Sequence, residues 1–265
     1  MLNLAVADEL LLCTLPFLCV SSYTSDWMFG EHVCRITNLF RESNKYTGIL
    51  TLVALSVDRC LASYHNTAAV RRVPVGISVC VCIWLVSLLV SLPYATNAMV
   101  KTSTAGRRGC GLQQQTVPLD RAWTYLQLIL GLAVPLVVIT GANAILLYRL
   151  RRRCNRHHAS TTGRSGSTGS QGGGRQRLTP AFGPMAMARL VIVVVGVFVG
   201  CQLPYHVVEM MSLKIHERKQ EDGTMPSPNY TTVFIYANTA AQILVYVSSC
   251  CNPIIYGIFN HNYRT

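Results

Sequence analysis

The stretch CRITNLFRESNKYTGILTLVALSVDRC, from Cys34 to Cys60, sets the tightest limits on how this chain can fold. It reads as one helix. Arg41, Glu42 and Lys45 fall within little more than a turn, Tyr46 to Val57 carry no charge, and Asp58 and Arg59 close the segment. A charge at bilayer depth costs about 2.5–3.5 kcal/mol on the insertion scale, so three of them must face water or one another. Glu42 and Lys45, three residues apart, can pair on one helix face. The pattern calls for a polar cavity above a dry plug.

Composition supports an apolar surrounding. Of 265 residues 51% are hydrophobic and 13% charged, with a mean hydropathy of +0.33, which points to a membrane protein. The net charge of +12 does not indicate nucleic acid, because the basic residues collect in the connections between apolar runs rather than among aromatics on one element. Six segments are long enough to span, at about 2–24, 33–57, 74–96, 123–148, 187–211 and 232–258. The connection from Arg149 to Arg189 holds nine Arg and no acid, which assigns it to the cytosol. Alternation then puts the loops around Trp27, Cys110 and Asn229 outside and both ends of the chain inside.

Residues 150–186 include HHASTTGRSGSTGSQGGGRQR and read as a flexible cytosolic loop. Asn229, Tyr230 and Thr231 form a candidate glycosylation sequon on the outer side. Pro16, Pro93, Pro135, Pro204 and Pro253 sit inside apolar runs, as kinks or hinges that a bilayer bundle tolerates. Of the eleven cysteines, Cys13, Cys19, Cys80, Cys82, Cys201, Cys250 and Cys251 lie in apolar runs and read as small buried hydrophobes. No paired CxxC, HExxH or phosphate loop occurs, so neither a zinc site nor an enzyme is expected. Inverted repeats or a charged pore ring, which a transporter or channel would want, are also missing from the pattern.

The residues LNLAVAD ending at Asp8, Trp27 with Cys34, SVDRC at 56–60, Trp84, Pro135, Phe198 with CQLPY at 201–205, and NPIIY at 252–256 resemble the rhodopsin-like G-protein-coupled receptors in order and spacing. The resemblance covers nearly the whole chain. It implies an all-α membrane bundle of seven helices at the plasma membrane, of which this chain displays the second to the seventh, with the first helix and the outer tail expected upstream. TLPF at 14–17, residues 41–62 and QILVYVSSCCNPIIY at 242–256 look most like CXC chemokine receptors, and the altered signature residues resemble virus-encoded relatives of those receptors.

Specific residues acquire expected roles from the topology and the resemblance. Cys34 and Cys110 are the two cysteines that the topology places on the oxidising side, and a disulfide between them would pin the second outer loop over the bundle mouth. Asp8, Ser248 and Asn252 would form a sodium site, the one expected cofactor. Gly48 stands where the family usually offers a hydroxyl, which leaves a protonated or water-bridged Asp8 as the alternative. Asp58 and Arg59 would couple to a heterotrimeric G protein, with the acid holding the Arg at rest. Cys60 replaces the usual aromatic of that motif, and Asn143 a tyrosine.

Phe198, Gln202, Pro204, Asn252, Pro253 and Tyr256 would form the activation switch, Gln202 standing where the family has an aromatic. A ligand pocket would use Trp27, Arg41, Glu42, Lys45, Glu209 and Gln242. Chemokine receptors usually carry Glu at the Gln242 position, so the cavity's acid must come from Glu42 or Glu209. The expected function is reception of a chemokine or peptide, or constitutive signalling, with membrane lipid and other receptors as further partners. The alternative is a receptor-like protein that does not signal and instead pairs with full-length receptors.

Overall fold

The computed structural model describes residues 2–62, 73–102, 106–113, 117–162, 184–221, 223 and 227–261. The order is α1 (Leu2–Leu12), α2 (Leu15–Thr24), α3 (Gly30–Ala62), α4 (Val73–Asn97), β1 (Ala98–Thr102), β2 (Arg108–Leu112), α5 (Val117–Leu128), a π-helical segment (Ile129–Ala133), α6 (Val134–Thr162), α7 (Pro184–Glu221) and α8 (Pro228–His261). Helix α3 is the axis of the bundle, packed against α1, α4, α6 and both strands, while α7 joins α5, α6 and α8.

The helices bury polarity and expose oil. On α4 Ser87 and Ser91 are fully buried, whereas Ile77, Leu85 and Leu89 are each more than half exposed. Small residues one turn apart let a neighbouring backbone approach, and the branched side chains face what would be lipid. Among the described residues, Ala5–Thr24, Pro74–Asn97 and Pro118–Arg149 are long and apolar enough, by length and composition, to cross a membrane. Six spans were expected. Helix α3 falls short of the same measure because Arg41, Glu42, Lys45 and their polar neighbours interrupt its apolar run.

Proline divides two of the expected spans. The first is split at Cys13–Thr14, where Thr14 N donates to Leu11 O at 2.9 Å and the Thr14 hydroxyl to the same carbonyl at 2.6 Å. Pro16 has no N–H to offer Leu12 O and so cannot continue the ladder, while both Thr14 donors turn to Leu11 O. Before Pro135 the chain widens instead: Val134 N–H donates to Ile129 O, five residues back. Pro93 and Pro204 are carried inside α4 and α7 without an interruption. Expected as a cytosolic loop from residue 150, the chain is helical through Thr162. The glycines that disfavour a helix begin only after that point, at Gly163; residues 163–183 lie outside the described residues.

Candidate functional site

One end of the bundle is closed by a small plug. Strands β1 and β2 pair antiparallel with Val100 opposite Cys110, and Gly106, shortly before β2, takes φ +75°, a backbone state that glycine adopts without strain. Cys110 is bonded to Cys34 near the start of α3, with the Cα atoms 5.6 Å apart. Trp27, Cys34 and Ala98 form an apolar knot, into which Phe17, Phe29 and Val33 pack. The indole N–H of Trp27 donates to Gly30 O at 2.8 Å, and its backbone N–H to Arg108 O at 2.8 Å. Asp26 accepts from the Arg108 backbone N–H at 2.7 Å and from its guanidinium at 2.7 Å. Those hydrogen bonds hold the Asp26 carboxyl below its ordinary pKa.

Beneath the hairpin lies a cavity of about 780 Å³, with Arg41, Tyr94, Trp123, Gln127, Glu209 and Gln242 among its lining residues. Trp27 also reaches its wall but is only 1% exposed, held in the plug. Under the floor is a recess of about 10 Å³ bounded by Arg41, Glu42, Lys45, Tyr205 and Gln242. Lys45 is ion-paired with Glu42 there, as the spacing of three predicts, and both side chains are at most 2% exposed. Arg41 Nε lies 3.7 Å from the same carboxylate, and the Tyr205 hydroxyl donates to it at 3.4 Å. The ammonium of Lys45 also sits 4.6 Å from the Tyr205 ring centre, 5.0 Å from Tyr46 and 5.7 Å from Tyr94. Three ring faces and a carboxylate replace water around one cation.

Of the six residues assigned to a ligand pocket, Trp27, Arg41, Glu209 and Gln242 line the cavity, while Glu42 and Lys45 close its floor from below. Sequence reasoning missed the tyrosine cage. Tyr94 and Tyr205 come from α4 and α7, and no local spacing announces that they converge on Lys45.

The switch region is partly described. Gln202 is 5% exposed, and among the described residues its Oε1 meets no hydrogen-bond donor. Four residues further along α7, His206 packs on the π-helical segment: a Cβ on Gly131 would stand 3.2 Å from the imidazole. The close approach is possible because Gly131 has no side chain. Phe198, Ser248, Asn252, Pro253 and Tyr256 fall in helices, but their side chains lie outside the described residues. Asp8 is 7% exposed and accepts from Asn44 Nδ2 at 3.4 Å. Asn44 thus presents a donor, and Gly48 offers no oxygen. The other two residues expected at the sodium site, Ser248 and Asn252, have side chains outside the described residues.

At the far end of α3, Asp58 is exposed and Arg59 half-buried, and among the described residues no ion pair joins them. Adjacent helical residues point about 100° apart, which opposes the resting clasp expected between them. Asn143 is turned inward, donating to Ile139 O at 2.7 Å and to the Ser56 hydroxyl at 3.5 Å. The side chain of Asn229 lies outside the described residues. Its sequon falls in the first turn of α8, where the Thr231 hydroxyl donates to Ser227 O at 3.2 Å.

Comparison with known proteins agrees with this architecture. Residues 1–256 match the family model of the 7 transmembrane receptor (rhodopsin family). Similar proteins include somatostatin receptor type 2 of Mus musculus, 29% identical over 99% of this chain and 64% of the relative. Type 4 of Rattus norvegicus is 30% identical over 100% and 61%, and type 5 of the same species 32% identical over 99% and 65%. The chain therefore spans less than two thirds of the length of these relatives. None of the three is a chemokine receptor, so the finer likeness to that subfamily, and to its viral relatives, finds no support in them. What the match does establish is the wider group: this chain belongs to the rhodopsin family of seven-transmembrane receptors, multi-pass proteins of the plasma membrane and not enzymes.

Proposed function

We propose that this chain is the transmembrane core of a peptide receptor, which admits part of its ligand beneath the hairpin and passes that event along α3 to a heterotrimeric G protein. The observation that carries the reading is the polarity of α3. One end is bonded to the lid of a cavity of about 780 Å³, and the other presents an exposed Asp58 beside Arg59. A cavity of that size holds a few residues of a peptide. The relatives, named as somatostatin receptors, favour a peptide over a small amine or a lipid.

An unliganded bundle needs a reason to rearrange when a ligand arrives. A ligand shifts an equilibrium only by binding one state better than the other. Here the lid, the cavity wall on α3 and the wall on α7 are separate elements, and a peptide touching all three would favour one spacing of α3 against α7. Pro204 in α7 and the π-helical turn before Pro135 supply places where the helices can bend.

A second reading, a receptor-like partner that binds full receptors and does not signal, is favoured by Asn143, which is committed to α3 and to its own helix rather than to Arg59. The test is G-protein activation in cells displaying the chain at their surface, first without ligand and then with somatostatin peptides and CXC chemokines. A response that Arg59→Ala abolishes is expected. A surface-exposed chain silent throughout would replace the proposal with the second reading, and a response to chemokines alone would restore the chemokine assignment.

A further inference from the structure

If the cavity takes a peptide, as proposed above, its charged lining selects what that peptide carries. Three acids lie in or below it: Glu42, Asp120 and Glu209. Glu42 is 1% exposed, lies below the cavity rather than in its wall, and already meets two cations, Lys45 and Arg41, besides the Tyr205 hydroxyl, so a ligand cation does not reach it. Asp120 lies 3.5 Å from the His216 imidazole, which neutralises it whenever the ring is protonated. Glu209 differs from both. It lines the cavity, is half-buried, and among the described residues has no Lys, Arg or His within ion-pairing distance.

We infer that Glu209 is the residue that receives a lysine or arginine side chain of the peptide. Tyr205 offers Glu209 a hydroxyl, and the charges of Lys45 and Arg41 reach it only from beyond ion-pairing distance, so the half-buried carboxylate stays costly until a cation arrives in direct contact. Arg41 gives the cavity its direction. Its guanidinium, 21% exposed, is held by Asn38 Oδ1 at 2.8 Å and keeps positive charge on the α3 wall. The repulsion excludes a ligand cation from α3 and directs it to α7. A ligand so placed bridges the lid and α7, the contact that the signalling proposal needs.

The test uses a synthetic decapeptide library with acetylated N-termini and amidated C-termini, so that side chains carry all the charge. The library is selected against the full chain in lipid nanodiscs, and retained peptides are read by mass spectrometry. Lys or Arg should be enriched at one position. Glu209→Gln should weaken those peptides about 10- to 100-fold, Glu209→Asp should preserve the preference, and Glu209→Lys should select acidic peptides instead.

Retained peptides with no cationic preference overturn the assignment from the unaltered chain alone, whether or not a variant folds. A preference unchanged in Glu209→Gln overturns it as well. No retained peptide at all overturns the peptide-receptor reading, and this assignment falls with it.

Discussion

Helix α3 carries two groups of charges, and they are built in opposite ways. Arg41, Glu42 and Lys45 occupy one turn under the cavity, paired and enclosed by tyrosine rings. Asp58 and Arg59 occupy the far end, adjacent in sequence and not paired with each other. Spacing explains the contrast, since residues three apart share a helix face and neighbours do not. It also suggests a division of labour. The satisfied cluster fixes the distance of α3 from α7, and the open pair is left to meet a partner.

The largest effect should come from breaking the satisfied cluster. Glu42→Ala leaves the Lys45 ammonium buried without its carboxylate, and should destabilise the bundle by about 3–5 kcal/mol, read as a fall in the thermal midpoint of purified protein. Opening the lid comes next. Replacing Cys34 and Cys110 by Ser removes a cross-link that closes a long loop and should cost about 2–4 kcal/mol, measurable by the same melt with and without reductant.

Gly131→Ala tests the floor from a different direction. The added methyl stands 3.2 Å from His206, and forcing the two apart should cost about 1–3 kcal/mol. Smallest of all should be Arg59→Ala, within about 0.5 kcal/mol in stability, because nothing in the described bundle leans on its charge. A loss comparable to that of Glu42→Ala would erase the contrast between the two groups.

The lid adds a pH signature. Arg108 holds Asp26 below its ordinary pKa, so the pair's contribution to stability is present above the unfolded carboxylate pKa and is lost as pH falls through the lowered one. Asp26→Asn should therefore flatten the acid limb of the stability profile without changing it near neutrality in slope. An acid limb unaltered by the substitution would show that the pair does not form in solution.

How much of this was legible depends on distance along the chain. Glu42 and Lys45 could be paired from spacing, and the span of α3 from its apolar run, because helical geometry is local. The disulfide followed from placing only two cysteines on one side. The cage around Lys45 was not legible, since Tyr94 and Tyr205 arrive from other helices. Neither was the contact of Asn44 with Asp8, where the expectation fixed on Ser248 and Asn252 instead.

The hairpin was hidden for another reason: AMVKT and RGCGL are short and without alternation, and the second carries two glycines, so that only their pairing makes them strands. Between Glu42 and Glu209 the sequence offered two equal candidates for the cavity's acid. Three-dimensional pairing separates them, because Lys45 and Arg41 pair directly with one, whereas among the described residues no cation stands within ion-pairing distance of the other.

The most direct test of the account is nucleotide exchange on a purified heterotrimeric G protein, catalysed by this chain in lipid nanodiscs with the peptides retained above, and compared with Arg59→Ala at matched thermal stability. Exchange above empty nanodiscs that disappears in the variant, with the melt unchanged, is the predicted result. Equal exchange from both proteins would contradict the assignment of the open pair on α3 to G-protein coupling.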